Sequence, residues 1–169
     1  DSADPIADAA SRFGFGTPTG IDLPGESAGR ISGRAFKVQN WEAKRDTWCE
    51  NAISGYPKTR KTDPKLADYY TALDKENCAD GFRWREGDAL NAAIGQGDTA
   101  VTPLQMAMAY SAIANGGTVH EPSLIKAVMG SDGNVIDQIE PSVKSTLDLP
   151  KSTLKFLKNS LPGVTTVGS

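Results

Sequence analysis

The tetrapeptide Thr102-Pro103-Leu104-Gln105 constrains folding more than any other stretch of this chain. A threonine hydroxyl that accepts from the N–H three residues on, with a glutamine reaching back to the threonine's own N–H, is a capping box. Pro103 falls at the first helical position, where a missing N–H costs nothing. The run Leu104, Met106, Ala107, Met108, Ala109, Tyr110, Ala112, Ile113, Ala114 is apolar nearly all round and stops at Asn115-Gly116-Gly117. Such a helix belongs in the middle of a domain.

The other segments are arranged around it. Asp4 as N-cap and Pro5 at the first position open a short helix with Ile6, Ala9, Ala10 and Phe13 on one face, closed by Gly14 as a left-handed cap. From Phe15 to Arg30, glycine and proline recur too often for regular structure, and only Ile21 and Leu23 suggest a brief extended piece. Residues 36–86 change character: dense charge of both signs, Trp41, Trp48, Trp84 and both cysteines mark an insertion or excursion. Within it, Leu66, Tyr69, Tyr70 and Leu73 predict a helix over Lys65–Asp74. Two runs, Leu124–Met129 and Asn134–Ile139, flank Gly130-Ser131-Asp132-Gly133 as a hairpin. Pro150 opens a last amphipathic helix through Leu154, Leu157 and Leu161, ended by Pro162-Gly163, and Val164–Ser169 reads as strand.

Composition narrows the partners. A net charge of −3 with no local Lys/Arg run gives no field for a phosphate backbone, so nucleic acid is not an expected partner. No apolar stretch reaches the ~18 residues of a membrane span. Cys49 and Cys78 form no CxxC pair, and His120 is the sole histidine, so neither a zinc site nor any other cofactor is expected. The two cysteines could bridge, closing a loop worth roughly 3 to 4 kcal/mol. They could equally be two unrelated small residues.

Four strings invite chemistry and fail on context. Gly14-Phe15-Gly16 and Gly95-Gln96-Gly97 supply only the opening of a dinucleotide fingerprint. Gly25-Glu26-Ser27-Ala28-Gly29 has the G-x-S-x-G form, with His120 downstream, but Pro24 precedes it and no helical period follows. An α/β-hydrolase using Ser27 is therefore the weakest reading. Ser152-Thr153-Leu154-Lys155 has the S-x-x-K form without the motifs that should follow, and His120 is expected in an exposed loop.

The segments Phe13-Gly14-Phe15-Gly16-Thr17-Pro18-Thr19-Gly20-Ile21-Asp22-Leu23-Pro24-Gly25-Glu26 and Gly87-Asp88-Ala89-Leu90-Asn91-Ala92-Ala93-Ile94-Gly95-Gln96-Gly97 resemble class B penicillin-binding proteins. Val101–Tyr110 and Ala114-Asn115-Gly116-Gly117 continue the match in the family's order. The likeness is strongest to the penicillin-binding protein 2 type involved in elongation. It implies an α/β (α+β) transpeptidase fold of the serine β-lactamase-like kind, here incomplete, with residues 1–169 lying between the S-x-N and K-T-G motifs of one domain.

That placement implies no catalytic residue in the chain, which should be inactive alone. Gly95, Gln96, Gly97, Thr102, Pro103 and Gln105 are expected to give structural support near the site. The parent is expected to cross-link peptidoglycan stem peptides through an acyl-serine and to bind β-lactam antibiotics. It would work on the outer face of the bacterial cytoplasmic membrane, with the remainder of its own domain and elongation-complex membrane proteins as partners. An oxidising exterior favours a Cys49–Cys78 disulfide. The competing class is a non-catalytic penicillin-binding-protein-like binding module.

Overall fold

A computed structural model describes residues 4–166. In chain order the elements are α1 Pro5–Arg12, α2 Arg34–Ser54, α3 Pro57–Thr62, α4 Pro64–Asp80, α5 Glu86–Ala93, α6 Pro103–Asn115, β1 Thr118–His120, β2 Ala127–Met129, β3 Val135–Gln138, β4 Val143–Thr146, α7 Lys151–Ser160 and α8 Gly163–Thr166. The chain divides into two compact units, one holding Ser32–Asp98 with Asp4, the other Pro5–Ile31 and the described residues from Thr99 onward.

The first unit is helical. Asp63 caps α4 by accepting from the Leu66 N–H at 3.0 Å, with Pro64 at the first turn. α2 packs along α4, and Cys49 and Cys78 join them in a disulfide. Beside the bridge, the Trp41 indole N–H donates to the Cys78 carbonyl at 3.3 Å, and the Trp41 and Phe82 rings meet edge-on at 5.2 Å. Ala67 and Asp74 are the buried residues of α4. The Tyr56 hydroxyl donates to Asp74 and accepts from the Asn51 amide at 3.3 Å. To reach there, Tyr56 holds φ 54°, the one left-handed non-glycine conformation among the described residues. Hydrogen bonding to the Asp74 carboxylate, then burial, pushes the Tyr56 pKa up to about 12.

The second unit is built on α6. Its buried Met108 and Ala112 pack with Val119 of β1, Leu147 and Leu154 of α7, and Phe13 and Leu149 lean on the same cluster. Each fully buried aliphatic side chain of this size contributes about 1.5 to 3 kcal/mol. β1 pairs antiparallel with β4, Val119 opposite Ser145, with a bulge before His120. β2 and β3 form a separate antiparallel hairpin. Gly14, at φ +87°, ends α1 as expected: the Phe15 N–H reaches the Ala10 carbonyl and the Gly14 N–H the Ser11 carbonyl.

Several expectations need correcting. α1 buries no residue and Ile6 is exposed, so only Phe13 of its predicted face reaches the core. α6 is not buried all round, since Met106 and Tyr110 are open to solvent. Gly163–Thr166 is a helical turn rather than strand, because local bonds satisfy it: the Val164 and Thr165 N–H groups reach Leu161 and Pro162, and both threonine hydroxyls donate backwards. The rest of the expected strand, residues 167–169, lies outside the described residues. His120 ends strand β1, half-buried, instead of occupying a loop, because β4 supplies it a partner strand that the sequence did not announce.

Candidate functional site

The densest polar construction in the second unit centres on Gln105. Its side chain is 1% exposed and has all its hydrogen-bonding atoms engaged. Oε1 accepts from the Thr102 N–H at 2.9 Å, and the Thr102 hydroxyl accepts from the Gln105 N–H at 3.1 Å, completing the predicted capping box. The other end was not foreseen. Nε2 donates to the carbonyls of Thr17 and Ala28, both at 2.8 Å. One amide thus fastens both limbs of the glycine-rich loop to the start of α6.

Close approach makes this possible. Arg30 and Ala100 exchange backbone hydrogen bonds of 2.7 and 3.0 Å. Next to them Gly29, at φ +65°, passes so near that a Cβ would lie 2.6 Å from the Ala100 carbonyl oxygen and 3.0 Å from Gln105 Oε1. Only glycine fits. Within the loop, Glu26 accepts from the Thr19 N–H at 2.6 Å and the Gly20 N–H at 3.4 Å. Hydrogen bonds from the Thr19 side chain and then its backbone hold the Glu26 carboxyl below its ordinary pKa. The Lys144 ammonium donates to the Pro18 carbonyl, tying β4 to the same loop.

The other singled-out residues are placed as follows. Gly95, Gln96 and Gly97 belong to the first unit, whereas Thr102, Pro103 and Gln105 belong to the second. Gly95, at φ +72°, ends α5 with the Gln96 N–H on the Asn91 carbonyl at 2.8 Å and the Gly95 N–H on Ala92 at 3.1 Å. Ser27 is an exposed loop residue whose hydroxyl accepts from the Gly29 N–H at 3.2 Å, with no helix leaving it. Ser152 and Lys155 lie exposed on α7. The His120 Nδ1 faces the Ser142 carbonyl at 3.3 Å, and the Ser142 hydroxyl donates to the Glu121 carboxylate at 2.6 Å. Among the described residues, no group of His, Cys, Asp or Glu side chains is arranged to hold a metal ion. The Gln105 arrangement therefore positions backbone.

The chain thus combines helices and short strands, with a glycine-rich loop pinned to the capped start of α6. The chain is a member of the penicillin-binding protein transpeptidase domain family, whose model matches residues 2–169. It is 29% identical over 140 residues to peptidoglycan D,D-transpeptidase MrdA of Haemophilus influenzae, covering 82% of this chain and 15% of that protein. It is likewise 29% identical over 164 residues to penicillin-binding protein 2A of Bacillus subtilis, covering 94% of this chain and 16% of that one. Among solved structures, penicillin-binding protein 2B of Streptococcus pneumoniae R6 superposes with TM-score 0.54 at 21% identity, over 94% of this chain and 18% of that one. The chain thus spans under a fifth of each of these proteins.

What the sequence could not reveal is the reach of Gln105 to Thr17 and Ala28, sequence separations of 88 and 77. The only hint lay in chemistry: a capping box uses the glutamine oxygen and leaves two amide donors that burial would oblige to find acceptors.

Proposed function

We propose that this chain is the stretch of a peptidoglycan D,D-transpeptidase that lies between the second and third catalytic motifs of its domain and braces the acyl-serine site. In the parent, a serine hydroxyl outside this chain would attack the carbonyl preceding the terminal D-alanine of a stem peptide. The C–N bond to that D-alanine breaks, the amine leaves with the proton, and a neighbouring strand's amino group takes the acyl group. β-Lactams would acylate the same serine. The parent would act at the outer face of the cytoplasmic membrane, together with the rest of its domain and with elongation-complex membrane proteins. The family match and the names of the relatives support this reading.

One observation carries the bracing role: a fully bonded, buried Gln105 amide that joins the loop at Thr17 and Ala28 to the cap of α6. A side chain with that many fixed partners positions its surroundings rather than reacting. The test is fluorescent-penicillin labelling of the full-length protein. Wild type should label covalently. Gln105→Ala should label at least severalfold more slowly, and Thr102→Ala should lower stability by about 1 kcal/mol through the lost cap. No label on wild type would make the parent a binding module. Unchanged labelling and unchanged melting in both variants would reject the bracing role.

A further inference from the structure

The periodic residues that mark α4 in the sequence are largely exposed, with only Tyr70 leaning inward on the Tyr56 ring at 5.4 Å. Leu66, Tyr69, Tyr70 and Leu73 are 38%, 61%, 37% and 40% exposed. The inward side is small or polar instead: Ala67, Thr71, Asp74 and the disulfide-bonded Cys78. At the helical rise of about 1.5 Å per residue, the outward stripe is about 10 Å long. Its tyrosines are grouped, with the rings of Tyr69 and Tyr70 at 5.7 Å. A contiguous exposed patch of this kind marks a surface that meets something.

The neighbouring charge says what. Just N-terminal to the stripe, α3 and the first turn of α4 carry Lys58, Arg60, Lys61 and Lys65. Arg60 pairs with Asp68 at 2.8 Å, and the Asp63 carboxylate is engaged by the Leu66 N–H. Lys58, Lys61 and Lys65 have no carboxylate within ion-pair distance among the described residues. This locally cationic end belongs to a chain of net charge −3, so it is not a general property of the surface.

We propose that α3 and the outward face of α4 form a docking surface for an anionic lipid bilayer. Aliphatic side chains and tyrosines on one helical face, beside unpaired lysines, have the chemistry of an interfacial element. Tyrosine places its ring among acyl chains and its hydroxyl among headgroups. The stripe is too small to hold a neutral membrane by burial alone, so attachment depends on the lysines meeting negative headgroups. A partner helix would instead be received in a groove, and these four side chains stand on a single helix.

The test is co-sedimentation of the whole 169-residue chain, disulfide intact, with vesicles of phosphatidylcholine and of phosphatidylcholine mixed with phosphatidylglycerol. Binding is expected to the mixed vesicles, to weaken with added salt, and to be absent with phosphatidylcholine alone. Lys58→Gln/Lys61→Gln/Lys65→Gln should lower the partition coefficient roughly tenfold or more. Tyr69→Ser/Leu73→Ser should lower it comparably with the lysines intact. Each variant is checked by circular dichroism and thiol titration, and since all five positions are exposed both should fold.

Failure of wild type to bind the mixed vesicles overturns the proposal, as does equal binding by wild type and both variants. Should vesicles fail while an acidic Glu/Leu amphipathic peptide binds, the face belongs to a protein partner. Self-association abolished by Tyr69→Ser/Leu73→Ser, without vesicle binding, would assign it to a second copy. Either result also overturns the lipid assignment.

Discussion

The unit formed by Ser32–Asp98 buries a single apolar side chain among its described residues, Ala67, whereas the other unit buries Met108, Ala109, Ala112, Val119, Leu147 and Leu154. The first replaces a core with a cross-link and a polar contact at its centre, Cys49–Cys78 and Tyr56–Asp74. The second has a conventional apolar cluster and spends its polar groups on holding a loop. Small helical assemblies with little to bury depend on such staples. The contrast implies that the two regions should fail under different treatments.

Reducing the bridge, or making Cys49→Ser/Cys78→Ser, should have the largest effect on the first unit. A closed loop of 29 residues predicts a loss of about 3 to 4 kcal/mol on the chain-entropy model. Hydrogen exchange should show that loss in amides of α2 and α4 and not in α6. Equal loss of protection in α6 would mean that the units are not separately supported.

Tyr56→Phe should have the next largest effect. Removing the hydroxyl leaves the buried Asp74 carboxylate without that donor, at a cost of about 1 to 3 kcal/mol in chemical denaturation. The same bond raises the tyrosine's pKa in the folded state, so the stability it lends is complete below its ordinary value of 10 and disappears as pH climbs through about 12. Ultraviolet titration should find one tyrosine ionising late, and Tyr56→Phe should abolish that phase.

In the second unit, Glu26→Gln should have the smallest effect. Because the folded carboxyl is held below its ordinary value of 4.5, its contribution is present above that pH and is lost as pH falls through the lower folded value. Wild type should melt slightly above Glu26→Gln at neutral pH, and the gap should close in acid. A gap that persists in strong acid would show that the loop does not depend on the ionised carboxylate.

Local signals in the sequence were reliable where a few adjacent residues decide the outcome. The capping box at Thr102, the Gly14 cap, the Gly130–Gly133 hairpin and the Pro150 helix start all depend on hydrogen bonds spanning a few residues. The family segments lie in the same well-marked stretches. The failures come from distance. Thr118–His120 became strand only because Val143–Thr146 came alongside, a pairing no local pattern encodes. Helix periodicity located α4, while which side turned inward was determined by a disulfide and a buried aspartate. The Gln105 clamp was half legible: the cap was written in four consecutive residues, and the two carbonyl partners were not.

Gly29 and Gln105 also constrain how this chain can drift. Any side chain at 29 collides with the Ala100 carbonyl and with Gln105 Oε1, so widening one position requires rebuilding the other. Glutamate at 105 would turn two donors into acceptors facing the Thr17 and Ala28 carbonyls. Mutational intolerance at this pair would mimic that of a reactive residue, although its origin is steric fit and the direction of an amide.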